Sequence, residues 1–375
     1  MLPIESTDYC VILRDKVAEM KALATLDRAN KDMVLPYIVA APLNVKDQEQ
    51  KRQLTKKEYG DIHLGRIANC WGRRTALLDF RFVKFSNETS TSAADLYSFL
   101  QSSRAFGCSV IPVIDFQLDS IERQAIARFI RENACGSAIR LDLNNLASGN
   151  LQADLYKIML EIISKPQDCI LVLDLADADL SDVASFAGFV AEWIFRVQSF
   201  GLWRRVIVAA TNYPQRNPAP ENGSITISRN EWLAWQHALT LDSRVKKIAM
   251  FSDYGADNGN FDFGSGGRAI RHFRYATSDS WLIQRGGESK ENIDGSIHGA
   301  AKAVVSSGIF AGDIFSAGDE FISACSKRSE VGNPTTWRTA NMNHHMTRIT
   351  VDIANAFKIQ MPAVQRRRAT QLQFF

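Results

Sequence analysis

The sequence predicts an α/β fold: a (β/α)8 TIM-barrel-like parallel barrel with a C-terminal hairpin and helical extension. Three observations carry that expectation. Short apolar runs rich in Val, Ile and Leu recur along the chain, about eight of them, the number that closes a parallel barrel. Each is followed by a segment with helical spacing, so the chain repeats as βα units joined by right-handed crossovers. Most of the runs lack strict in/out alternation, as strands covered on both faces do.

In chain order the runs are 9–14 (YCVILR), 33–42, 75–85, 109–116, 138–143, 169–175, 205–213 and 247–255. Helical segments lie between them. Ser120 beside Glu122, Ser181 before Asp182 and Ser228 three residues before Glu231 are read as helix starts, and Gly107, Gly136 and Gly201 as stops. After the eighth run the rhythm changes. Gly264, Gly266, Gly267 and Arg268 make a glycine-rich stretch, read as a lid or hairpin loop. Residues 271–287 alternate like a hairpin turning at Ser278 and Asp279. The segment 296–310 is expected to serve as the eighth helix, and 335–357 as one further long helix. This gives a barrel domain over 1–310, including a 256–287 loop and hairpin insertion, and a C-terminal helical extension over 311–375 with the basic tail Arg366, Arg367 and Arg368. The rival is an open doubly wound sheet. Against it, no glycine-rich phosphate turn follows the first run.

Composition narrows the function classes. The 375-residue chain is 46% hydrophobic with a formal charge of +3, so it is globular, and bulk electrostatics force neither a nucleic-acid nor a membrane partner. The six cysteines are scattered singly without a C-x-x-C pair, the usage of a reducing compartment. No run approaches the roughly 18 apolar residues that span a bilayer, and the N-terminal residues lack the basic and apolar regions of a signal peptide. A cytoplasmic protein with no membrane partner is expected.

Candidate site residues come from the strand ends. Asp79, Arg81, Asp115, Arg140, Asp142, Asp174, Thr211, Asn212, Asp253 and Tyr254 close the predicted strands, which in a barrel gathers them on the C-terminal rim where active sites are built. An Asp at a strand end also serves to cap the next helix, so each has a structural alternative. Asp79 with Arg81, and Arg140 with Asp142, are two residues apart and share a strand face. An Arg pointing into a barrel must meet a carboxylate or an anionic ligand, because an unpaired buried charge is costly. Lys16 and Glu19 sit one helical turn apart and are placed to pair. Adjacent His344 and His345 diverge by about 100° on a helix and cannot chelate one metal together. Trp337, Asn341 and His344 share a face of that helix, either as core packing or as a site. Residues 315–321 (FSAGDEF) read as a loop in which Asp319 caps the following helix.

The stretches YCVILRDKVAEMKALATL, LPYI, PVID, IRLDL, LVLDLAD, RNEWLAW, FSDYG, FRYATSDSWLIQRGG, FSAGDEFI and WRTANMNHHMTRI, in this order, resemble the phage beta protein family over nearly the whole chain. That family occurs in phages and bacterial genomes, so the resemblance implies a role in phage–host conflict. Carried over residue by residue, it implies functional positions at Lys16, Glu19, Asp253, Tyr254, Arg274, Tyr275, Trp281, Asp319, Trp337, Asn343, His344 and His345. The sequence departs from the family pattern at Ala317, where an aromatic is more usual before Gly-Asp, which weakens a stacking role for this loop.

The functional expectation is therefore a component of a phage-defence or phage–host conflict system. A charged pocket at the strand C-termini would act as sensor or effector site for an anionic, nucleotide or nucleic-acid-like ligand. Lys16, Arg81, Arg140, Arg274, Glu19, Asp142, Asp174, Tyr275 and Trp337 would bind it, with Asp253, Tyr254 and His344 as candidate catalytic groups. Whether the protein is an enzyme stays open, and the sequence assigns no cofactor and no metal ligand set. Expected partners are a protein of the same defence system and a nucleotide or nucleic acid. The alternatives are a non-catalytic protein-interaction scaffold in an antiviral assembly, and a metal-dependent hydrolase using the rim aspartates Asp79, Asp142, Asp174 and Asp253 for magnesium.

Overall fold

The computed structural model describes residues 8–361 apart from 48, 177, 262 and 264–269. The expected glycine-rich stretch from Gly264 to Arg268, and the basic tail Arg366 to Arg368, lie outside the described residues. Eight parallel strands close into a barrel: β1 (Tyr9–Arg14), β2 (Val34–Val39), β3 (Thr75–Asp79), β4 (Ser109–Ile114), β5 (Ser137–Leu141), β6 (Cys169–Asp174), β7 (Arg205–Ala209) and, skipping one strand of the chain, β9 (Ala249–Asp253), which pairs with both β7 and β1. The skipped strand, β8 (Ser224–Ser228), joins an antiparallel hairpin of β10 (His272–Ala276) and β11 (Ser280–Arg285) in the order β10-β11-β8. The hairpin matches expectation. Strand β8 is half exposed and only five residues long, and its run Ser-Ile-Thr-Ile-Ser is too short and polar to stand out from a loop.

Side-chain phase organises the barrel. Cys10, Ile12, Leu35, Tyr37, Val39, Leu77, Ile111, Val113, Ala138, Ile170, Val172, Ile207, Ala209 and Met250 fill the interior. Their neighbours in sequence, such as Tyr9, Val11, Leu78, Ile139, Leu173, Val208 and Phe251, face the surrounding helices. Because the strand period is two, continuing the inward phase past the last apolar layer delivers Arg14, Asp79, Arg140, Asp174 and Tyr254 to the mouth. Asp253 has the opposite phase and points out, towards the helical layer.

Several helices begin where their caps dictate. Thr55 and Glu58 form a reciprocal capping box on Lys56–Trp71, as do Asp119 and Glu122 on Ser120–Asn133. The cap of the second is therefore Asp119 and not Ser120. Asp182 caps Val183–Phe200, whereas Arg229 precedes Asn230–Leu241 with no side-chain cap.

The C-terminal third differs from the expected arrangement. The helix Ile293–Val305, expected to complete the barrel, packs on β10, β11 and the helix Ala317–Ser326 instead. It buries Ile297, Ala300, Ala301 and Val304 against Phe273 and Tyr275. The long helix Pro334–Phe357, capped by Asn333 with Pro334 in its first turn, lies against β1 and the first helix, Val17–Ala24, while its other side meets β10 and Ala317–Ser326. Gly318 makes that close approach feasible, since a Cβ there would fall 2.3 Å from the Ala340 carbonyl oxygen.

Candidate functional site

The rim residues form two separate places. At the barrel mouth, Asp174 accepts from Arg140 Nε at 2.7 Å, from Arg81 Nη1 at 3.2 Å and from the Tyr254 hydroxyl. Asp79 accepts from Arg81 Nε at 2.6 Å and from the Tyr37 hydroxyl at 2.6 Å. Burial raises the pKa of Asp174, but Arg140 and Arg81 pull it down further, so the carboxyl lies below its ordinary range. Burial and then the Asp174 charge push the Tyr254 phenol well above its ordinary value. A cleft of about 350 Å3 opens here, lined by Arg81, Arg140, Asp142, Asp174, Phe82 and Phe261 among others. The ring of Phe261 lies 5.8 Å from that of Tyr254 and 5.1 Å from the Arg81 guanidinium, and Phe263 joins the interior core.

At this mouth the two expected phosphate-binding cations, Arg81 and Arg140, are matched by two carboxylates. Both guanidinium groups are spent on Asp79 and Asp174, so the cleft wall is charge-paired. Nor do the rim aspartates gather for magnesium. Arg81 sits between Asp79 and Asp174, Asp142 caps Leu143–Ala147, and Asp253 faces another layer. Among the described residues no group of three or more His, Cys, Asp or Glu side chains is placed to hold a metal. Asp115 accepts from the backbone of Gln117 and Leu118, and Thr211 donates to the Asp257 carbonyl, which are local loop roles.

The second place lies between the loops after β1 and β9, the hairpin and the last helix. Asp257, four residues beyond β9, accepts from Arg14, from Arg274 Nη1 at 3.0 Å and from Arg338. Glu19 accepts from Arg14 Nε at 3.0 Å and from Arg338 Nε at 3.1 Å. Three guanidinium groups thus share two buried carboxylates. Burial is the largest influence on both acids: it leaves Glu19 raised, whereas Arg14 and Arg274 bring Asp257 below its ordinary range. The expected Lys16–Glu19 pair gives way to this network, because Arg14, on the inward phase of β1, reaches Glu19 first. A cleft of about 280 Å3 adjoins it, lined by Lys16, His272, Arg274, Trp337, Arg338 and Asn341 with apolar neighbours. Its described wall carries three cationic side chains and no carboxylate. His272 accepts from Arg274 Nε at 2.9 Å and faces the Ile270 carbonyl through Nδ1. Burial, then Arg274, lowers its pKa to about 3, so it is a neutral acceptor.

The three candidate catalytic residues are not brought together. Asp253 accepts from the Tyr9 hydroxyl and meets His345 Nε2 at 2.7 Å, while the His345 ring stacks on Trp281 at 4.5 Å. His344, one residue earlier and so about 100° round the helix, meets Asp319 at 2.8 Å and the Ala276 carbonyl at 2.9 Å, with the Tyr275 ring stacked at 3.9 Å. Tyr275 donates to Asp319 at 2.7 Å. Asp319 is not the cap of its helix: Ser316 is, accepting from the Asp319 amide. Each of these groups is buried, and they bind the last helix to barrel and hairpin. Asn343 ties the same helix to Ala317–Ser326 and Val17–Ala24, accepting from Gly318 and donating to Ala22.

Of the expected ligand-binding residues, Lys16, Arg274 and Trp337 line the basic cleft, Glu19 underlies it, Arg81, Arg140, Asp142 and Asp174 line the mouth, and Tyr275 is core. Sequence reasoning missed Arg14, Asp257 and Arg338. Arg14 was accessible through the phase of Cys10 and Ile12, and Arg338 through its spacing from Asn341 and Met342. Asp257 carries no such signal, since its place depends on a loop.

Solved structures similar to this chain include triosephosphate isomerase from Bartonella henselae (12% identity, 66% of this chain, 92% of that one, TM-score 0.33). Fungal beta-1,4-galactanases (12% identity, 66% and 89%, TM-score 0.37) and the carboxyl transferase domain of Rhizobium etli pyruvate carboxylase (10% identity, 68% and 42%, TM-score 0.37) are similar at the same level. The barrel assignment stands on strand order and needs none of them. No curated protein matches the chain. The Beta protein family model matches residues 9–350, which span both clefts, the hairpin and most of the last helix, and the chain belongs to that family.

Proposed function

We propose that the protein is a sensor or effector component of a phage–host conflict system, acting in the cytoplasm, and that its ligand is an anionic small molecule of nucleotide type bound in the basic cleft. The observation that carries this reading is the cleft wall, where Lys16, Arg274 and Arg338 converge beside the apolar Trp337, Met342 and Ile270. Preformed clefts that combine an apolar lining with a few convergent polar groups are the usual form of small-molecule sites, and about 280 Å3 lies just below their usual range of roughly 300–1,000 Å3. Arg274 and Arg338 are held by Asp257, so their planar donors are fixed before a ligand arrives. The conflict setting is supported by the family resemblance alone. A partner protein of the same system belongs to the proposal as the receiver of the signal.

The test combines binding and protection. Titration calorimetry with ATP, NAD and cyclic di-AMP, at low and high salt, should give salt-weakened binding of at least one probe. Arg338→Ala should weaken it about ten- to a hundredfold, the worth of one charged hydrogen bond. Phage plating of cells carrying the intact gene in its native neighbourhood should show protection that Arg338→Ala loses. Absence of binding to every probe sinks the ligand reading, and absence of protection sinks the conflict reading.

A further inference from the structure

A smaller cavity adjoins the basic cleft, with Lys16 and Val17 in both walls. At its base Asp15, the residue after β1, meets His63 Nδ1 through one carboxylate oxygen, and its other oxygen accepts from Arg66 Nη1 at 3.0 Å. His63 and Arg66 are one turn apart on Lys56–Trp71, so a single helix face grips both oxygens. In the neutral ring the carboxylate fixes the tautomer, with the proton on Nδ1 and the lone pair on Nε2. His63 is 4% exposed, and Nε2 has no hydrogen-bond partner among the described residues, yet is not sealed off from solvent. His63 lines a cavity of about 40 Å3 whose wall also carries Lys16, Lys46 and Phe263, and the carboxylates Asp47 and Glu49, both of which face Arg66. That volume admits a water molecule. Lys16 stands at the junction, its ammonium 5.7 Å above the Phe263 ring.

We propose that Asp15 and His63 form a general-base pair that activates water for hydrolysis of a phosphoric ester or anhydride held at Lys16. This inference rests on the anionic-ligand reading above and assigns it a reaction. His63 Nε2 takes a proton as the water oxygen bonds to phosphorus. The bond from phosphorus to the leaving oxygen breaks with its electron pair, that oxygen takes a proton from solvent on the far side of phosphorus, and the imidazolium returns its own proton to solvent. Water is the only co-reactant, and nothing is oxidised or reduced. His63 is the catalytic residue and Asp15 a positioning residue. Lys16 and the neighbouring arginines bear the charge of the transferred group.

The experiment uses the full chain with ATP, NAD and cyclic di-AMP as probes, following products by phosphorus NMR and binding by calorimetry. Wild type should convert at least one probe. His63→Gln should lower kcat by about 10²–10⁴-fold, the usual worth of a positioned base, with Kd within about twofold of wild type, as for an interaction made only in the transition state. Asp15→Asn, nearly isosteric, should lower kcat while leaving KM and the circular dichroism spectrum unchanged. It carries the test if His63→Gln does not fold. Binding without products in wild type, or undiminished kcat in either folded variant, overturns the dyad and leaves the ligand reading intact. Failure of every probe to bind overturns both.

Discussion

Replacing Asp174 by alanine tests whether the barrel mouth is held by its charge pairs. The residue is 5% exposed, and its carboxylate serves Arg140, Arg81 and Tyr254 at once. Arg81 would retain Asp79 at 2.6 Å, but Arg140 would keep only Asp142 at 3.9 Å, and the Tyr254 hydroxyl would lose its acceptor. Removing one partner of a buried pair costs about 3–5 kcal/mol. Unfolding entropy of roughly 2.1 cal/mol/K per residue amounts to about 0.8 kcal/mol/K for a chain of this length, so Tm should fall by about 4–6 °C. Calorimetric melting at pH 7 reads this directly. Asp174→Asn, which keeps an acceptor, should lose less, and adding Arg140→Met to Asp174→Ala should restore part of the loss by removing the stranded guanidinium. The pH sense is also fixed. Because the folded pKa is depressed, the stabilisation is present above the ordinary Asp value of about 3.9 and lost as pH falls through the folded value. The gap between wild type and variant should therefore shrink in acid. A Tm within about 1 °C of wild type at pH 7, or a gap that widens towards low pH, would refute the reasoning.

Two further outcomes follow from buried positions. Burial pushes the Glu231 carboxyl up to about 7 against the pull of Arg229. The folded state then holds a proton that the unfolded state releases, and stability falls as pH rises from about 4.3, the ordinary Glu value, towards 7. Glu231→Gln should flatten that decline, and equal pH slopes of Tm in the two proteins would count against it. Gly255 has φ +61°, and a Cβ there would sit 2.7 Å from the Met342 sulfur. Gly255→Ala should therefore cost about 1–3 kcal/mol, seen as a lower urea midpoint; an unchanged midpoint would mean that the loop and the last helix can part freely.

How far the sequence spoke depends on which interactions are local. All eight barrel strands are visible as apolar runs because a strand buried on both faces needs them, and the hairpin shows through its alternation. Strand ends also located the mouth. What the runs did not reveal was phase: Asp253 and Tyr254 are neighbours in sequence, yet Tyr254 continues the inward phase of Met250 and reaches Asp174, while Asp253 continues the outward phase of Phe251 and reaches His345. Reading both as rim residues merged two networks. The same care with phase would have promoted Arg14, two residues beyond Ile12, from strand terminus to ion-pair centre.

The basic cleft could not be read in this way, because its walls come from parts of the chain brought together only by packing. Lys16 follows β1, Arg274 lies on the hairpin and Arg338 on the last helix. Their convergence depends on Asp257, which binds Arg14, Arg274 and Arg338 at once. Three cations would repel one another without that carboxylate and Glu19 between them. The buried contacts of His344 with Asp319 and His345 with Asp253 fix the helix that carries Arg338. The histidine pair thus places a wall of the cleft without lining it. Tyr254, in turn, closes the barrel mouth through Asp174 and leaves the cationic surface to form beside it, outside the strand ends.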